Sequence, residues 1–261
     1  MTHAVPDILS RIVQHKRTEL AERSSRRPAL ERLAENGIVA RRPYLAALQS
    51  RSPAIISEIK KASPSKGLLS ANFHPAAIAK SYAQGGAVAL SVLTDEQFFQ
   101  GAIADLEAAR AACRLPVLRK DFTIDEFHVI EAAAAGADAI LLITAILSTP
   151  QLTHLRQLAS HYGMASLVEV HDEEELKSAL DSGAEIVGVN NRNLHDFTVT
   201  LETSQRLAEY MPANIYKVTE SGIHTAGDVR LLMQSGYGAF LVGEHLMKSP
   251  DPAQALRELL L

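Results

Sequence analysis

Short runs of β-branched and apolar residues alternate along the chain with alanine-rich stretches whose apolar positions recur every three or four residues, which predicts strands and helices in succession. One phrase recurs four times: a small-residue helix end, a glycine, then a buried run. Its copies are Gly85-Gly86-Ala87 before Val88 to Leu93, Gly136-Ala137 before Ala139 to Ile143, Gly183-Ala184 before Ile186 to Val189, and Gly236 before Ala239 to Val242. Each glycine suits a left-handed helix end, where a side chain costs steric energy. The copies lie about 50 residues apart, too far for one strand–helix unit and right for two, so each interval hides a further strand. Ala54 to Lys60, Pro116 to Lys120, Met164 to Val170 and Asn214 to Thr219 fill those places. Helical windows such as Pro75 to Gln84 and Asp125 to Ala135 separate them, as parallel neighbours require.

Eight strands alternating with helices in 261 residues predict an α/β chain folded as a single (β/α)8 TIM barrel. An open doubly wound sheet is the competing layout, but no G-x-G-x-x-G or Walker-type lysine loop is present. Residues 1–50 exceed what the barrel needs and read as an N-terminal helical extension. Asp7 is expected to cap a helix whose Ile8, Leu9, Ile12 and Val13 form one stripe, and Ala29 to Glu35 suggests a second helix ended by Gly37. The extension either plugs the bottom of the barrel or partly lids its mouth.

Composition narrows the partners. With 47% hydrophobic and 21% charged residues the chain can bury a sizeable core. Its 26 basic and 30 acidic residues leave a net charge of -4, which argues against a nucleic-acid surface or an acidic membrane and favours a small-molecule partner. No obligate protein partner is inferred. Cys113 is the single cysteine, so a disulfide within the chain and a multi-thiolate metal site are both excluded, and a reducing cytoplasm suits it. Met1 to Val13 carries His3, Pro6, Asp7 and Arg11 where a signal peptide needs an unbroken apolar run. The longest apolar run, Ala139 to Leu147, falls short of the roughly 18 residues that span a bilayer.

In such a barrel chemistry belongs where strands end, since the loops leaving their carboxyl ends share one mouth. The first strand exit offers Glu58 and Lys60, two apart and so on one side, with Ile56 inward below them. Lys120 ends the third strand, Glu169 the fifth, Asn190 and Arg192 follow the sixth, and Glu220 the seventh. Each alone reads as a solvated rim charge, but together their burial is costly unless they pair or meet a charged ligand. Ser221-Gly222 and Gly243-Glu244, after strands seven and eight, place backbone amides where such barrels hold phosphate, and Ser63 of a Ser-Pro-Ser-Lys-Gly loop adds a hydroxyl. His171, followed by Asp172 to Glu175, reads as a helix start rather than a metal ligand. There is no H-E-x-x-H and no G-x-S-x-G, so neither metal nor serine chemistry is expected.

Six segments on six strand exits carry a resemblance: Glu58 to Gly67, Leu118 to Phe122, Leu167 to His171, Gly188 to Leu194, Thr219 to Ile223 and Phe240 to Met247. Together they closely resemble the indole-3-glycerol phosphate synthase family, over nearly the whole chain, in its stand-alone form. The resemblance implies ring closure of 1-(2-carboxyphenylamino)-1-deoxyribulose 5-phosphate with loss of carbon dioxide and water, without cofactor or metal. It implies that Lys120 is the general acid on the ketone, that Glu169 is an acid/base partner, and that Glu58 and Lys60 orient substrate and assist proton steps. It places Asn190 and Glu220 at substrate-orienting positions. Arg192, Ser63, Ser221, Gly222, Gly243 and Glu244 fall on the phosphate side, Glu244 through its amide, and Phe99 and Phe122 are aromatic contacts for the anthranilate ring. The chain has no Trp, so the extension supplies no indole side chain to the site. A phosphoribosylanthranilate isomerase or a non-catalytic phosphate-binding barrel are the alternatives; the former needs a Cys/Asp pair for which Cys113 is misplaced.

Overall fold

The structure is a computed structural model that describes residues 6–64, 66–70 and 72–261; His3 and Ser65 lie outside the described residues. An N-terminal extension of three helices, α1 (Asp7–Arg23), α2 (Arg27–Gly37) and α3 (Tyr44–Gln49), precedes the first strand. Eight parallel strands then close into a barrel in chain order: β1 (Ala54–Ile59), β2 (Ala89–Leu93), β3 (Val117–Lys120), β4 (Ala139–Ile143), β5 (Ala165–Val170), β6 (Ile186–Asn190), β7 (Tyr216–Glu220) and β8 (Ala239–Val242). The expected strands are these, displaced by at most two residues at an end. The helices between and after them are α4 (Pro75–Gly85), α5 (Glu96–Phe99), α6 (Ile103–Ala112), α7 (Glu126–Ala134), α8 (Thr149–His161), α9 (Glu173–Asp181), α10 (Glu202–Ala208), α11 (Ala226–Gln234), α12 (Glu244–Lys248) and α13 (Pro252–Leu259). At the four repeated phrases the chain turns from helix to strand through Gly86, Gly136, Gly183 and Gly236, with φ of 100°, 85°, 80° and 87°. That is backbone which a side chain strains, so the phrase marks a true stop.

Strand parity fixes what points where. Ile55, Leu90, Val117, Ile140, Val168, Val187 and Phe240 pack outward under the helices. Ile56, Leu118, Leu141, Leu167, Val218 and Leu241 point inward and fill the barrel floor. Burying each such side chain contributes ~1.5–3 kcal/mol, and a one-residue slip of any strand turns its whole inward set out. Two residues beyond the floor, on the same side, come Glu58, Lys120, Ile143, Glu169, Glu220 and Gly243. The apolar floor therefore dictates that the next layer up is the charged one.

The extension serves both ends. In α1, Leu9 and Ile12 are buried and, with Ile8, line the mouth. In α3, Tyr44 and Leu48 are buried in the inner core beside Ala54 and Val218, and the Tyr216 hydroxyl donates to the Leu48 carbonyl at 2.6 Å. The lid and plug expectations thus each hold for a different helix. Between them, α2 packs on α7, with Leu30 and Ala34 joining the outer core. One local expectation is corrected. Asp7 is the first residue of α1, not its cap; Pro6 holds the cap position, and Asp7 acts as an acidic residue in the first turn. The second helix does end at Gly37, which keeps a right-handed φ of -80° as the chain tightens into a 3-10 turn at Ile38–Ala40.

Candidate active site

The charged layer lines a cavity of about 520 Å³ at the carboxyl ends of the strands. At its centre stands Lys120 from the end of β3. Its Nζ lies 3.3 Å from Glu220 Oε2, 3.7 Å from Glu58 Oε2 and 3.8 Å from Glu169 Oε2. The three glutamates are buried, at 3%, 3% and 1% exposure for Glu58, Glu169 and Glu220. Lys60, two residues beyond Glu58, pairs with its other oxygen at 2.5 Å. The inward glycines make this possible. A Cβ on Gly243 would collide with the Glu58 carboxylate, and one on Gly188 would meet Glu220 Oε1. Gly188 sits in register between Glu169 on β5 and Val218 on β7, so the missing side chain leaves the space into which the Glu220 carboxylate reaches.

These surroundings sort the groups by charge. Burial opposes ionisation of Glu58, but Lys60 and Lys120 outweigh it and hold the carboxyl below its usual range. Burial likewise opposes the charge on Lys120, yet Glu220, Glu58 and Glu169 together push its pKa well up, so the ammonium persists. For Glu220 burial wins: despite the pull of Lys120, and with Glu169 and Glu58 adding repulsion, its pKa is pushed up to about 7. One chamber therefore holds a fixed cationic proton donor, an ionised carboxylate and a carboxyl poised near neutrality. That is the equipment of acid–base catalysis at a carbonyl.

Every residue expected at the site lines this cavity: Glu58, Lys60, Ser63, Phe99, Lys120, Phe122, Glu169, Asn190, Arg192, Glu220, Ser221, Gly222, Gly243 and Glu244. Asn190 Oδ1 accepts from the Ser221 hydroxyl at 2.9 Å and from the Arg192 amide at 3.1 Å, tying the sixth and seventh strand exits together. Ser221 and Gly222 have positive φ of 68° and 79°. Arg192 Nη2 reaches to 3.8 Å from Glu244 Oε2. Phe99 and Phe122 have ring centroids 6.0 Å apart, tilted by 36°. Cys113 caps the end of α6 and does not line the cavity.

The wall also contains what sequence reasoning missed. Ile8, Leu9 and Ile12 of α1 face the chamber. That helix is held down by Lys16, whose Nζ is 3.0 Å from Asp95 Oδ2 and 2.9 Å from Asp121 Oδ1, beside the mouth. Burial disfavours the Lys16 charge, but Asp121 and Asp95 raise its pKa, so the pair bonds stay ionic. A lysine four residues after Ile12, on the apolar stripe of α1, was the available signal. His171 was the other omission: Asp172 does cap α9, accepting from the Glu175 amide, yet the His171 ring also turns toward Glu169.

Fold and chamber together define a (β/α)8 barrel with a lysine-centred acid–base site beside amide-rich loops after β7 and β8. The sequence model of the family "Indole-3-glycerol phosphate synthase" matches residues 9–259. The chain belongs to the indole-3-glycerol phosphate synthase family. Relatives bearing that name include one from Chromobacterium violaceum, 51% identical and covering 97% of each chain. Another, from Polaromonas naphthalenivorans, is 50% identical over 97% of this chain and 98% of its own. Among solved structures, thiamine phosphate pyrophosphorylase from Pyrococcus furiosus aligns with a TM-score of 0.61 at 18% identity, over 80% of this chain and 94% of its own. KGPDC from Streptococcus mutans aligns at 0.62 and 12% identity, over 80% of this chain and 96% of its own. These two show the fold alone. Among the described residues no helix is long and apolar enough to cross a membrane.

Proposed function

We propose that this chain closes the indole ring of 1-(2-carboxyphenylamino)-1-deoxyribulose 5-phosphate, giving indole-3-glycerol phosphate, carbon dioxide and water in tryptophan biosynthesis in the cytoplasm. The observation that carries the reading is the Lys120 ammonium set among the buried Glu58, Glu169 and Glu220 in one chamber. The substrate carries a phosphate at one end, an aryl carboxylate at the other and a ketone between. The loops bearing Ser63, Arg192, Ser221, Gly222, Gly243 and the Glu244 amide take the phosphate. Phe99 and Phe122 hold the aryl ring against the apolar faces of Ile8 and Leu9. Lys60 answers the aryl carboxylate.

The aromatic carbon bearing the carboxylate attacks the ketone, and Lys120 delivers its proton to the ketone oxygen as the carbon–carbon bond forms. Carbon dioxide then leaves and restores the ring electrons. The new hydroxyl departs as water, with Glu169 serving the proton transfers and Glu58 helping to keep Lys120 charged and to aim Lys60 and Lys120. Asn190 and Glu220 orient the chain of hydroxyls between the two anionic ends. Written with the carboxylate ionised, the reaction takes up one proton per turnover, and a buried ammonium fed by neighbouring carboxyls is suited to supply it. No cofactor or metal enters any of these steps, and no second protein is required.

The test is turnover of the anilino-ribulose phosphate, followed by indole fluorescence, for the wild type and Lys120→Met. Loss of the general acid lowers kcat by about 10²- to 10⁴-fold with the circular dichroism spectrum retained. A wild type that makes no indole product, or a variant that works at near-normal rate, refutes the assignment.

A further inference from the structure

His171, directly after β5, stands between two carboxylates. Its Nδ1 is 2.9 Å from Glu175 Oε2, and its backbone N–H donates to the same oxygen at 2.8 Å. Its Nε2 is buried, has no hydrogen-bond partner among the described residues, and faces Glu169 Oε1 at 3.5 Å. Glu175 is in turn fixed by its place in the first turn of α9, where its amide donates to Asp172 at 2.8 Å. An imidazole with a carboxylate at each nitrogen can donate to both only as the imidazolium, with two N–H groups.

We propose that His171 is a positioning residue for Glu169: anchored by Glu175, the ring aims Nε2–H at the Glu169 carboxylate and fixes its rotamer. This rests on the base role given to Glu169 above. Burial opposes the ring's charge, but Glu175, Glu169 and Glu220 outweigh it and raise its pKa. Asp172 and Glu174 flank it from α9, and Arg192 from the β6 exit shares the second cavity, of about 760 Å³, that the ring borders. Glu175 thus holds the ring by two hydrogen bonds, to Nδ1 and the backbone N–H, as an outer partner holds a working group in place.

Steady-state kinetics against pH test this with His171→Asn, His171→Ala, Glu169→Gln, the double variant and Glu175→Gln, each checked for folding by its urea midpoint. Both His171 variants should lose about 10- to 100-fold in kcat with KM little changed, as for one lost hydrogen bond to a charged group. His171→Ala should add nothing in the Glu169→Gln background. Wild-type kcat should fall on the alkaline side as the ring loses its proton; His171→Asn should lack that limb, and Glu175→Gln should move it to lower pH. Additive losses in the double variant, or a pH profile that His171→Asn leaves unaltered, overturn the proposal. Where Glu169→Gln is too slow to subdivide, the pH profiles decide. Near-normal turnover in Glu169→Gln removes the base itself and sinks both readings; an impaired Glu169→Gln beside an unaffected His171→Asn sinks the positioning role alone.

Discussion

Glu220→Gln should make the protein sturdier in alkali and poorer at turnover. The carboxyl is 1% exposed and 3.3 Å from Lys120 Nζ. Burial pushes its pKa from 4.5 up to about 7 against the pull of Lys120. Between those values the folded protein keeps a proton that the unfolded chain has released. The unfolding free energy therefore falls as pH rises through the window, and the contribution is complete below 4.5 and gone above about 7. A carboxyl displaced that far is worth about 3 kcal/mol. Glutamine has the same shape and cannot ionise, so the variant escapes the fall. It should match the wild type at mildly acidic pH and exceed it by about 3 kcal/mol in mild alkali, or about 6–12 °C in Tm for a chain of this size. Urea melts followed by circular dichroism across that range, with the slope checked for constancy, measure the difference directly. Turnover should fall at every pH, since Glu220 is one of the three carboxylates that hold Lys120 in place. If the two proteins gain and lose stability in parallel across the range, the carboxyl does not titrate there, and the charge arrangement around Lys120 has been misread.

Two further outcomes follow from the geometry. Gly243→Ala puts a methyl group into the Glu58 carboxylate and should cost about 1–3 kcal/mol by overpacking, with kcat falling more than KM rises; unchanged kinetics would show that Glu58 has room to move. Lys16→Met leaves buried Asp95 without its cation and Asp121 with Arg119 alone, 3.1 Å away. It should cost about 3–5 kcal/mol in urea melts and expose α1 to early proteolysis, and a variant as resistant as the wild type contradicts the anchoring role.

The barrel could be read from the chain because its punctuation is local. A glycine in left-handed backbone between a helix and a β-branched run states a stop wherever it falls, and Gly86, Gly136, Gly183 and Gly236 do so at regular intervals. The site was legible for the same reason: with Ile56 inward, parity alone sends Glu58 and Lys60 to one side. What escaped was long-range. An amphipathic stripe shows that α1 is covered but not by what, so nothing in residues 1–50 separates the lid from the plug. The same holds for Gly188, whose importance is the volume that Glu220 occupies from the neighbouring strand. Lys16 and His171 act through partners about 80 to 100 residues away or one helical turn on, and only the closed ring brings the distant ones near.

The placement of the outermost helices matters to anyone who handles the molecule. Helix α1 begins at the rim, where Ile8 borders the reaction chamber and Pro6 the second cavity. Helix α13 ends at the opposite pole, with Leu260 against Gly86 at the foot of β2 and Leu261 facing solvent. A tag, a surface tether or a fused partner joined ahead of α1 would emerge across the doorway used by substrate and product. The same addition joined behind α13 would hang below the barrel and leave that doorway clear.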